Sequence, residues 1–111
     1  MNNTQHLHHC YRKLRRLFPV LPKRITITFA TDRKLGCLAE VGVTWKGATK
    51  RESATIVINE RLRFARRLLE RELLHEVAHI ITPKRFHRGH GKAFRRSIRR
   101  IYKHPDAEAV L

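Results

Sequence analysis

The hydrophobic pattern of this chain predicts an α+β fold: one N-terminal helix, a three-stranded antiparallel sheet and two further helices. Three observations carry that reading. Leu7, Cys10, Tyr11, Leu14, Leu17 and Phe18 recur at helical spacing near the start. Three runs rich in β-branched residues follow between residues 24 and 58, separated by turn residues. From Glu60 to Tyr102 the helical period returns, broken by Pro83 and by Gly89 and Gly91.

The first helix is expected over residues 4–18, with Arg12, Lys13, Arg15 and Arg16 on its polar face and Pro19 and Pro22 ending it. Arg24 to Phe29 alternates as a strand. A second strand falls within Leu35 to Trp45, bent or bulged near a glycine. Lys46 to Lys50 is a turn, and Ser53 to Ile58 is the third strand. Short connections of this kind suggest a meander. The third strand is expected to offer an edge on which an extended peptide can add.

Asn59 is placed to cap a helical stretch running to Ile81, with a break near Phe64. Leu62, Ala65, Leu69, Leu73, Val77 and Ile80 form its inward stripe, and Glu72, His75, Glu76 and His79 lie on a flank. Pro83 ends it, residues 83–91 form a loop, and a last helix spans 92–102. Phe94, Ile98 and Ile101 face in; Arg95, Arg96, Arg99, Arg100 and Lys103 face out. Residues 104–111 read as a flexible tail.

With 111 residues and 41% hydrophobic content, the expectation is a single domain, 1–111, around one modest core. The formal charge of +16, from 25 Lys and Arg against 9 Asp and Glu, calls for an anionic partner. Nucleic acid leads, because neutralising phosphates releases counterions. An anionic membrane surface is the alternative, although no apolar run is long enough to span a bilayer. The N-terminus has no basic start followed by an apolar stretch, so a cytoplasmic protein is expected. Cys10 and Cys37 form no C-x-x-C pair, which argues against a zinc ribbon or redox motif. They read as reduced thiols packed as small hydrophobes. His6, His8, His9 and His104 read as solvated, and Trp45 as core or rim.

The chemistry is concentrated in His75-Glu76-Val77-Ala78-His79. Two histidines four apart share one helix face, so both imidazoles can hold one metal ion, with Glu76 placed as general base toward an attacking water. A catalytic zinc needs about three protein ligands. The third comes from the following loop, from His87 or His90; the glycines flanking His90 favour it. One zinc per chain is the expected cofactor, although three histidines also suit iron, manganese or nickel.

Leu73-Leu74-His75-Glu76-Val77-Ala78-His79 followed by Gly89-His90-Gly91-Lys92-Ala93-Phe94 resembles the SprT-like domain, which includes the Spartan proteases. Leu21-Pro22, Leu35-Gly36 and Ile56-Val57-Ile58-Asn59 agree with it upstream, so the resemblance covers nearly the whole chain. It implies a zincin-like fold of helix, three strands and two helices. It also implies zinc on His75, His79 and His90 with Glu76 as catalytic base. The implied activity is a zinc metallopeptidase, in some members acting on proteins crosslinked to DNA. Many members carry a C-terminal zinc ribbon or DNA-binding tail. Here the resemblance is to a short form without one, and the basic surface is expected to substitute.

The expected function is therefore hydrolysis of peptide bonds in a protein or peptide substrate, on or near DNA held by Arg95, Arg96, Arg99 and Arg100. The alternative is a non-enzymatic nucleic-acid binder with a structural metal, against which Glu76 argues. A metal-dependent ribonuclease fits the spacing less well. Asp106 and Glu108 raise the further idea of an acidic tail folding back on the basic surface.

Overall fold

The computed structural model describes residues 1–31, 35–86 and 89–104. The tail with Asp106 and Glu108 and the candidate ligand His87 lie outside the described residues. The architecture is α+β, as the sequence predicts. Helix α1 (Asn3–Leu17) precedes strands β1 (Arg24–Ala30), β2 (Ala39–Lys46) and β3 (Lys50–Asn59). A short turn of 3-10 helix at Glu60–Leu62 leads to α2 (Arg66–Ile81), and α3 (Lys92–Lys103) closes the described chain.

Local chemistry explains these limits. Asn2 and Gln5 form a reciprocal cap on α1: the Asn2 side chain accepts from the Gln5 amide at 2.8 Å, and the Gln5 side chain accepts from the Asn2 amide at 3.0 Å. At the far end, the buried Tyr11 hydroxyl donates to the Pro22 carbonyl at 2.5 Å and fixes the exit of the chain. Asn59 caps the 3-10 turn by accepting from the Arg61 amide at 3.0 Å. The expected break near Phe64 separates that turn from α2.

The sheet differs from the expected meander. Its order is β1-β3-β2, with β1 parallel and β2 antiparallel to β3. The meander rests on sequential strands lying side by side, which is common but not obligatory. Here the chain leaves β1, crosses to the far side and returns through the β2–β3 hairpin. The middle goes to the strand with the most deeply buried face: Ala54, Ile56 and Ile58 are 3%, 0% and 0% exposed. β3 is therefore paired on both sides; β1 and β2 are the edge strands, and β2 is the one beside α2. The bulge lies between Thr44 and Trp45, not at a glycine; Gly42 pairs in register with Thr55.

One face of the sheet packs on the helices. Ile27, Ala54, Ile56 and Ile58 meet Leu7, Leu14, Leu69, Leu73, Val77 and Ile80 in one continuous core. Burying each large aliphatic side chain contributes about 1.5–3 kcal/mol, so the core fixes α2 as the central helix. Phe94 and Ile101 attach α3 to the same core.

The end of α2 is held more firmly than its sequence suggests. The Arg51 guanidinium, from β3, donates to the Ile80 carbonyl at 2.5 Å and the Ile81 carbonyl at 2.6 Å, and lies 4.8 Å over the Trp45 ring. Thr82 donates to the Ala78 carbonyl at 2.8 Å and meets the Ser97 hydroxyl at 3.0 Å, tying α2 to α3. Arg51→Ala removes two charge-assisted bonds from last-turn carbonyls. It is expected to cost about 2–3 kcal/mol, read as a lower urea midpoint at unchanged slope.

Candidate metal centre

His75 and His79 stand one turn apart on α2, and their rings meet edge to face at 5.1 Å. His90, just before α3, brings its Nε2 to 3.1 Å from His75 Nε2 and 3.2 Å from His79 Nε2. The three nitrogens form a group able to hold a metal ion. Donors at about 2.0–2.1 Å from a tetrahedral zinc stand about 3.3–3.4 Å apart, so these spacings fit that ion closely. Zinc is a borderline-soft ion for which three imidazoles are a suitable donor set.

The side chain beneath the group is Phe94, only 5% exposed. Its ring centroid lies 4.2 Å from His79, 4.7 Å from His90 and 5.0 Å from His75. The sequence marked Phe94 as an inward residue of the last helix. What it did not show is that one ring supports all three imidazoles.

The glycines act differently from the expectation of close backbone approach. A side-chain carbon at either Gly89 or Gly91 would meet nothing within 4 Å. Gly89 matters through its φ of +59°, a left-handed conformation, while Gly91 has an ordinary φ of −70° at the start of α3. Gly89→Ala is expected to cost about 1–2 kcal/mol and to displace His90, weakening metal binding in a chelator-competition titration. Gly91→Ala is expected to leave that affinity unchanged.

The histidines open into a cleft of about 510 Å³ lined by Glu72, Glu76 and Gly89 and, across it, by Leu38, Ala39, Glu40 and Val41. Glu76 is 3% exposed, and its pKa is pushed up to about 7 by burial, with smaller contributions from Glu72 and Glu40. Burial also lowers the His75 pKa, helped by His90 and opposed by Glu72. A neutral imidazole is the form that ligates a metal. Three of the chain's nine acidic residues thus gather in one cleft of a strongly basic molecule. Glu40 is a lining residue that sequence reading missed, because it arrives from β2 and carries no local signal.

Compared with protein-family profiles, residues 7–110 match the SprT-like family. The chain belongs to the SprT-like family. No curated protein and no solved structure gave a match. The family match spans α1 through α3, so the sheet, the H-E-x-x-H helix and the Gly-His-Gly loop of this SprT-like chain form one matched unit.

Arg95, Arg96, Arg99 and Arg100 are all exposed on α3. Arg95, Arg96 and Arg99 line a shallow groove with Lys92, while Arg100 turns to lie 5.3 Å from the Phe18 ring. Among the described residues neither cysteine is in a disulfide; Cys10 is buried, but Cys37 is exposed rather than packed. His104 packs edge-on against Phe18 at 5.4 Å instead of standing in solvent. His6 is also withdrawn from solvent, because α1 lays it against Glu70 of α2 at 3.2 Å. Among the described residues no helix is long and apolar enough to cross a membrane.

Proposed function

We propose that this SprT-like protein is a zinc-dependent peptidase acting on extended polypeptide, including protein bound to DNA. The observation that carries this reading is the convergence of His75, His79 and His90 beside the buried carboxyl of Glu76, in a cleft bordered by a strand edge. His75, His79 and His90 would hold the ion. When bound, zinc supplies the Lewis acidity that activates water and polarises a peptide carbonyl.

The chain's own residues supply the rest. Glu76 accepts the proton of the attacking water and delivers it to the departing amine; a carboxyl tuned toward neutral pH suits both transfers. The edge of β2 across the cleft pairs with the substrate backbone as an added strand. This role passes from β3, the strand expected from the sequence, to β2, because β3 is flanked on both sides. Glu40 and Glu72 give the cleft a negative lining, which favours basic polypeptide.

The groove of Lys92, Arg95, Arg96 and Arg99 is the proposed DNA contact. It would concentrate the enzyme where DNA-bound substrates are, with no base-reading contact required. Replacing Arg95, Arg96 and Arg99 together by glutamine is expected to weaken DNA binding at low salt, to lower the salt slope by about 2–3, and to leave hydrolysis of a free unfolded protein unchanged. Fluorescence anisotropy with labelled duplex and single-stranded DNA, alongside a gel assay of hydrolysis, reads both. Unchanged DNA affinity in the triple variant would remove this groove from the proposal.

A further inference from the structure

A second cluster of metal-ligating side chains lies away from the cleft, between α1 and α2. His6 and Cys10 are four residues apart on the inner side of α1, and Glu70 faces them from α2. Cys10 is fully buried, and the side chains of His6 and Glu70 are only 15% and 11% exposed. His6 Nε2 stands 3.2 Å from Glu70 Oε2 and 3.6 Å from Cys10 Sγ.

Both contacts fall on the same ring nitrogen. A hydrogen-bonded relay of thiol, imidazole and carboxylate uses the two ring nitrogens separately, since each offers one hydrogen or one lone pair. Donors gathered about one ion instead bring their ligating atoms together at the edges of a tetrahedron. For zinc, with Zn–S about 2.3 Å and Zn–N or Zn–O about 2.0–2.1 Å, those edges are about 3.6 Å for S···N and 3.3 Å for N···O. The observed 3.6 and 3.2 Å match. The three-histidine cleft has the same signature, with His90 Nε2 facing both other Nε2 atoms.

Two cations act on the Cys10 thiol, Lys13 on α1 and Arg66 at the start of α2. Arg66 is directed to the Asn3 side chain at 3.1 Å and the Met1 carbonyl at 3.4 Å. A thiolate and a carboxylate would balance the charge of a divalent ion, and the mixed sulfur, nitrogen and oxygen set favours zinc over magnesium or calcium.

We propose that His6, Cys10 and Glu70 form a second zinc site that clasps α1 to α2, the helix carrying His75, Glu76 and His79. The capacity of the chain then rises from one zinc to two. The three protein ligands leave a fourth position for water. The site stands apart from hydrolysis, so it can fail or hold independently of the peptidase reading.

Cobalt(II) distinguishes the two sites, because only a cysteine ligand gives a near-ultraviolet thiolate-to-metal charge-transfer band. The full chain is stripped of metal, kept reduced and titrated with cobalt. The band is expected in wild type, in Cys37→Ala and in His90→Ala, and is expected to vanish in Cys10→Ser. Elemental analysis of zinc-loaded protein should fall by one equivalent in Cys10→Ser and by a separate equivalent in His90→Ala. Glu70→Gln keeps the shape of the side chain and removes its charge. It should weaken cobalt binding at the thiolate site by about tenfold or more, even if Cys10→Ser folds poorly. Folded wild type that shows no thiolate band at saturating cobalt overturns the proposal. So does a band that persists in Cys10→Ser, or a Glu70→Gln variant with wild-type cobalt affinity.

Discussion

Glu76→Gln is expected to keep the fold and the metal while lowering the rate of peptide hydrolysis by about 10²–10⁴-fold, the usual contribution of a positioned general base. The amide has nearly the same shape as the carboxyl and is neutral, so it avoids the desolvation that burial imposes on Glu76 in its charged form. The variant should therefore be as stable as wild type or more so. What it loses is the ability to accept a proton. Turnover of an unfolded protein substrate, with metal content measured on the same samples, reads this directly. A loss in kcat at unchanged zinc separates a chemical role from a structural one.

His90→Ala is expected to abolish hydrolysis by a different route, through the metal itself. His75 and His79 would remain as a two-histidine site on one helix face, without the ligand from the loop before α3. Zinc content should fall by one equivalent per chain. The folded state also loses the stabilisation that a bound ion provides. That stabilisation is about 3–4 kcal/mol when free zinc exceeds Kd by 100- to 1,000-fold. Zinc should thus raise the melting temperature of wild type well above that of its chelated form, and raise that of His90→Ala much less. Phe94 amplifies the coupling, because its ring packs on all three imidazoles and belongs to the core that α3 shares with α2.

Much of this arrangement was legible in the sequence, for physical reasons that differ by element. His75, Glu76 and His79 were legible because helical periodicity fixes which residues share a face, and the strong stripe of Leu69, Leu73, Val77 and Ile80 leaves little freedom in that periodicity. His90 was legible only as one of two loop histidines. Its selection rested on neighbouring glycines and on the resemblance of Gly89-His90-Gly91 to the family motif, and the operative feature is the left-handed backbone at Gly89. Strand existence followed from β-branched runs, but strand order did not. Pairing of β1 with β3 is a long-range property, set by which strand can bury a face most completely, and no local pattern encodes it. That error carried over to the site: the strand bordering the cleft is β2, and with it come Glu40 and Val41. Arg51 escaped notice for the same reason. Its partners, the carbonyls of Ile80 and Ile81, lie 29 and 30 residues away in sequence. The grouping of His6 and Cys10 did have a local signal, a spacing of four on the apolar side of α1. A position near the terminus favours solvent exposure for His6, and a lone apolar-face thiol favours simple packing for Cys10; Glu70, which faces them from α2, is 64 residues away from His6 in sequence and adds no local signal.

The central claim is that metal held by the three histidines drives peptide hydrolysis. The measurement that tests it most directly follows an unfolded, lysine-rich protein by mass spectrometry during incubation with three samples of wild type: zinc-loaded, chelated, and chelated then resupplied with zinc. The account predicts fragments whose masses sum to the substrate plus water in the first and third samples, and intact substrate in the second. Intact substrate in the presence of folded, zinc-loaded protein would contradict it, as would continued cleavage by the chelated sample.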